Sequence, residues 1–169
     1  MYKHSILGFT LIELLVVIAV VGVLAAGVFT AINPLEQLAR ARDADRKVKL
    51  GQLAQALQTY FTSKIQFPAV NNSWITTLKN EGELKNVPAQ STYVAVTDIC
   101  TSSLPSRGKE SDYCYLSNGQ DAAVYVRMES SAENKKCSSN IPRAWFMWLS
   151  TEGTGRIMCT GTTSEPTGL

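Results

Sequence analysis

The chain has 169 residues, a formal net charge of +2 from 16 Lys and Arg against 14 Asp and Glu, one histidine and four cysteines. That length holds one globular domain beside a long apolar segment, and not comfortably two. The near balance of charge gives no electrostatic ground for nucleic-acid binding, and a lone imidazole at the N-terminus, His4, removes most Ser-His and Cys-His chemistry.

Residues 8 to 29, GFTLIELLVVIAVVGVLAAGVF, carry one charged side chain, Glu13. A bilayer core of about 30 Å needs about 20 helical residues, so Phe9 to Phe29 is long enough to span it. The run exceeds the h-region of a cleavable secretory signal, and Ala25-Ala26-Gly27 is a poor imitation of a small-residue cleavage site. A carboxylate deep in a membrane helix costs about 2.5–3.5 kcal/mol on insertion scales, and chains that keep one usually use it. Glu13 stands close to the start of the run, so it could also snorkel to the interface and mark nothing.

Gly8 followed by Phe9-Thr10-Leu11-Ile12-Glu13, at the head of a hydrophobic helix, resembles the type IV pilin family. The resemblance implies cleavage between Gly8 and Phe9 by a prepilin peptidase, N-methylation of the new Phe9 amine, and a role for Phe9 and Glu13 in assembly. The leader departs from the usual pattern in having Lys3 as its single basic residue. Its removal takes His4 with it, leaving 15 basic and 14 acidic residues and no histidine. No nucleophile motif is present, so the chain reads as a structural protein and not an enzyme.

The domain organisation expected on this basis is a leader over 1–8, a transmembrane and filament-core helix over 9–29, an amphipathic continuation over 30–64, and a globular head over 65–169. Asn33-Pro34 predicts a kink or a locally melted turn, because proline disfavours helical geometry before it and lacks a donor. Leu50, Leu53, Leu57, Tyr60 and Phe61 follow at steps of three and four, one apolar stripe that should pack on the head's own sheet. Between the two apolar parts lies a charged belt: Glu36, Arg40, Arg42, Asp43, Asp45, Arg46, Lys47 and Lys49. Its members are expected to be solvated in a monomer or to face neighbouring subunits in a filament. Counted by Lys and Arg alone, the belt would keep the head in the cytoplasm. The N-in, C-out topology that the resemblance implies, and cysteines suited to an oxidising compartment, override this.

The helix should end at Ser63 or Lys64. Tyr60-Phe61 with Phe67-Pro68 is similar to the helix exit of pilins and of type II secretion pseudopilins, and Gly82, Leu84-Lys85 and Val87-Pro88 resemble their connecting loop. The resemblance thus runs from residue 6 to about 90. A short helix is expected over Trp74 to Lys79.

Beyond Pro88 the pattern is strand-like. Thr92–Thr97, Tyr113–Ser117, Ala122–Met128, Ala144–Leu149 and Arg156–Cys159 are the expected strands, with hairpins at Asn118-Gly119 and at Glu152-Gly153-Thr154-Gly155. Residues 144–149 are apolar in both alternating sets, as in a strand covered on both faces. The fold class is therefore α+β, a long N-terminal helix on an antiparallel sheet of about four or five strands. Cys100, Cys114, Cys137 and Cys159 lack metal-ligand spacing and favour two disulfides; no metal or cofactor is expected. Three pairings are possible, and nearest-neighbour bridging, Cys100 with Cys114 and Cys137 with Cys159, is preferred.

The resemblance implies a subunit that inserts in the inner membrane as a single-pass precursor, meets the assembly platform there, and polymerises with its own copies into a surface filament for adhesion, motility or DNA uptake. A major pseudopilin of a type II secretion system is the neighbouring alternative. A membrane-anchored binding module that never polymerises is the alternative of a different class.

Overall fold

A computed structural model describes residues 8–31, 33–90, 92–94, 96, 100, 107–162 and 164–166. The chain divides into two compact units between Gln37 and Leu38. In the first, helix α1 spans Leu11–Ala31, and none of Leu11–Val28 is buried. An all-round apolar helix without cover needs lipid or another chain around it. The helical course continues to Lys64 and restarts at Pro34, where the kink or melted turn is expected. Helix α2, Pro34–Lys64, starts anew: the Asn33 side-chain oxygen accepts the Glu36 N–H at 3.2 Å, and Pro34 takes the first helical position, where a missing donor costs nothing.

In the second unit α2 lays Leu50, Leu53, Ala54 and Leu57 on the sheet. Helix α3, Trp74–Asn80, closes the same core with Trp74, Ile75 and Leu78, and the Trp74 ring stacks on Tyr115 at 4.6 Å. The sheet is an antiparallel meander of five strands in chain order: β1 Gly108–Glu110, β2 Tyr113–Ser117, β3 Ala122–Arg127, β4 Arg143–Leu149 and β5 Gly155–Thr160. Helix α4, Ser131–Asn134, capped by Ser130, interrupts the β3–β4 connection. The register sets Cys114 opposite Tyr125, Val124 opposite Trp148 and Phe146 opposite Ile157.

The two-faced apolar pattern of β4 has its expected cause. Trp148 faces α2, while Trp145 and Met147 join Leu116, Tyr125 and Cys100 on the other face. There the end of β5 and the chain after it are fastened down: the Trp145 indole donates to the Thr160 hydroxyl at 2.8 Å, and Arg107 pairs with Glu165 at 2.7 Å. Cys100 is bonded to Cys114 and Cys137 to Cys159. The second bond closes a 22-residue separation, so replacing both Cys137 and Cys159 with serine should cost about 3 kcal/mol, read by denaturant unfolding.

Two expectations are corrected. Thr92, Tyr93, Val94 and Val96 belong to no strand, and Ala95 and Thr97 lie outside the described residues. Charged side chains claim this backbone instead: the Thr92 carbonyl accepts from Arg46 at 2.8 Å and the Val94 N–H donates to Glu129 at 3.1 Å. The first strand is Gly108–Glu110, where glycine is required by crowding: a Cβ at Gly108 would lie 2.3 Å from the Asn71 carbonyl oxygen.

The second correction concerns Arg42, Asp43, Arg46 and Lys47 of the charged belt; Arg40 and Asp45 are exposed, as expected. Asp43 and Arg46 are buried, not solvated or turned to a neighbour. Arg46 bonds Asp43 at 2.6 Å and Glu129 at 3.1 Å, with its guanidinium stacked on the Tyr93 ring. Glu129 also takes a two-pronged contact from Arg42, at 2.8 and 2.9 Å. Asp43 accepts the N–H groups of Glu129 and Ser130, and Lys47 pairs with Glu133. Burial alone pushes the Glu129 carboxyl up, but the bonds from Arg42, Val94 and Arg46 outweigh it and hold it down to about 2. Burial likewise raises Glu133, and its bonds to Lys136 and Lys47 leave it lowered.

A carboxyl depressed on folding stabilises fully above its ordinary value of 4.5 and loses that contribution as pH falls toward 2. For Glu129 the loss is about 3 kcal/mol. Unfolding midpoints measured between these limits should fall with pH in the parent and much less in Glu129→Gln.

Candidate processing and assembly site

Gly8, Phe9 and Thr10 belong to no helix or strand, and α1 begins at Leu11. Thr10 caps the helix and Glu13 stands three residues on, the arrangement of a capping box. The Thr10 N–H and hydroxyl both donate to one Glu13 carboxylate oxygen, at 2.9 and 2.8 Å, and the Glu13 N–H returns to the Thr10 hydroxyl at 3.3 Å. Two of the helix's open donors are thereby satisfied, and the acid in the apolar run has partners within its own turn. Thr-x-x-Glu before an apolar run is a sequence signal for this box, beside the isolated charge itself.

Around the carboxylate the surface is apolar and open. Phe9 is 74% exposed and, with Ile12, Val16 and Val17, frames a shallow groove that holds Glu13. Gly8 is exposed, and a Cβ there would meet nothing within 4 Å among the described residues. Packing among the described residues therefore sets no requirement for glycine at position 8.

The structure thus brings Gly8, Phe9 and Glu13 to one exposed helix start. The four cysteines belong to the other unit, as disulfides. Cys100, Cys114 and Glu165 present three potential ligand atoms within 4.8 Å of one another, but both sulfurs are spent in the disulfide and cannot act as thiolates. His4 lies outside the described residues.

In comparison with known proteins, residues 4–29 match the prokaryotic N-terminal methylation motif, the signature of type IV prepilins. No curated protein and no solved structure matches the chain. The match supports a precursor of the type IV pilin or pseudopilin kind, anchored in a membrane by its N-terminal helix, and that motif's family is structural. It ends at Phe29; the likeness read further, to residue 90, rests on Tyr60, Phe61, Phe67, Pro68 and the loop to Pro88.

Proposed function

We propose that this chain is the precursor of a pilin-like subunit that polymerises through α1 into a helical surface filament. The carrying observation is a coincidence of position: the methylation motif of residues 4–29 lies on a helix whose whole apolar circumference is bare. Residues 1–8 are the leader, 9–29 the anchor and later filament core, 30–64 the helix that carries the head, and 65–169 the head itself. The precursor sits N-in, C-out in the inner membrane, where the peptidase cuts between Gly8 and Phe9 and the Phe9 amine is methylated.

In the bilayer lipid covers α1. In the filament other copies of α1 replace the lipid, so the helix never meets water. The Phe9 amine of one subunit pairs with the Glu13 carboxylate of its neighbour, which must leave the Thr10 box in whole or part to do so. The pair's main contribution is register, since desolvation of two charges offsets much of their attraction. A contact repeated head-to-tail without closing gives an open helical polymer. Two disulfides in the head favour an extracellular pilus over a short pseudopilus.

Co-expression with a prepilin peptidase tests the first step. The N-terminal sequence should change from Met1 to Phe9 with an active peptidase, and remain at Met1 with an inactive one. A chain that keeps Met1 in both would be a plain anchor.

A further inference from the structure

The turn between β2 and β3, Asn118-Gly119-Gln120-Asp121, does more than reverse the chain. Its Gly119 carbonyl accepts the Phe67 N–H at 2.9 Å, and the Gln120 amide donates to the Ile65 carbonyl at 3.3 Å. The turn therefore anchors the chain where it leaves α2. Gly119 sits at φ +92°, open to glycine and strained for other residues.

Within this turn a reactive constellation is assembled. The Asn118 side-chain oxygen accepts two backbone N–H groups, from Gln120 at 2.9 Å and Asp121 at 2.7 Å. Two converging donors fix which end of the amide is oxygen. They also polarise the Cγ carbonyl and stand where negative charge would develop on its oxygen, the role of an oxyanion hole. On the other side the Gly119 N–H donates to the Ser117 hydroxyl at 2.9 Å, and that hydroxyl donates to the Asp121 carbonyl at 3.0 Å. Asn118 is exposed, so water and hydroxide reach it.

We propose that Asn118 is a self-modification site, converted by this turn to aspartate and isoaspartate. Hydroxide from solvent takes the Gly119 N–H proton, the Ser117 hydroxyl turns from the Asp121 carbonyl to donate to the nitrogen left bare, and that nitrogen attacks Cγ of Asn118. A C–N bond forms, the Cγ–Nδ2 bond breaks and ammonia leaves, giving a cyclic imide. Water then opens the ring at either carbonyl. One product is aspartate; the other is isoaspartate, whose main chain is longer by one methylene. Either adds a negative charge beside Asp121, and isoaspartate draws the Gly119 carbonyl off the Phe67 N–H. The change is irreversible without a repair enzyme, so it marks the age of each subunit at its helix exit.

The test is to hold the full-length chain in detergent at mildly alkaline pH, folded and in denaturant, and to follow residue 118 by peptide mapping with isoaspartate methyltransferase labelling. The folded chain should convert several-fold faster than the denatured one, because the donors to the Asn118 oxygen exist only in the turn. Ser117→Ala should lose that advantage and Ser117→Thr should restore it, with near-ultraviolet circular dichroism confirming that both heads are folded. An amide at 118 that lasts as long folded as denatured would overturn the proposal, as would a Ser117→Ala chain converting at the parent's rate.

Discussion

Glu13→Ala should leave the chain in the membrane and cleaved at Gly8, yet without filaments. Membrane insertion does not suffer, since removing the one charge of the apolar run lowers the cost of burying it. Assembly does, because the Phe9 amine of each neighbour would be buried beside an apolar helix with no counter-charge. Leaving one member of a buried ion pair alone costs about 3–5 kcal/mol, repeated at every subunit. Glu13→Gln separates the two jobs of this residue. Glutamine still accepts from Thr10 and keeps the capping box, but cannot pair with an amine as an ion. The expected result is the same as for alanine: membrane-bound, processed subunits and bare cells in the electron microscope. Normal filaments from Glu13→Gln would mean that the acid serves the helix start alone.

The second large effect belongs to Glu129. Its side chain is 3% exposed and receives Arg42, Arg46 and the Val94 N–H, so Glu129→Ala removes all three contacts at once and leaves two buried or half-buried guanidiniums sharing Asp43 as the nearby acid, with Arg46 keeping its bonds to Asp43 and the Thr92 carbonyl. The head should lose about 3–5 kcal/mol of stability, measured by denaturant unfolding of the full chain in detergent. Arg42→Ala is the control. Arg42 is 28% exposed, and its loss leaves Glu129 still held by Arg46 and Val94, so the cost should be smaller, about 1–3 kcal/mol. Equal, small effects from both would mean that the network only decorates a helix–sheet contact made by Leu50, Leu53 and Leu57.

What the chain announces in advance, and what it withholds, divides along the range of the forces. The α1 run, its acid and the Gly8–Phe9 junction are local, and the methylation motif is matched over that stretch. The β2–β3 hairpin follows from Asn118-Gly119 between two β-rich runs, and the double apolar set of β4 from a sheet covered on both faces. Arg40 and Asp45 are exposed as their charge predicts, but Arg42 and Arg46 meet their acid 87 and 83 residues away, a pairing no local pattern records. The same network holds the backbone at Thr92 and Val94, where β preference alone predicts a strand. Gly108–Glu110 has no strand signature, and pairs because β2 stands beside it. Ser130 and Glu133 do carry a capping signal for α4, and four residues gave too little periodicity to find it.

These two sites together define a division of labour. On the proposed function, α1 holds the features for processing and for contact with other copies, while the ion network around Glu129 holds Arg42, Asp43, Arg46 and Lys47 inside the head. Assembly on that reading would draw on the apolar helix and its acid.

The most direct measurement is the intact mass of this chain recovered from filaments sheared off the cell surface. The account predicts a chain of residues 9–169, heavier by one methyl group and lighter by the hydrogens of two disulfides. Absence from the filament fraction, with an uncut chain starting at Met1 in the membrane, would contradict it.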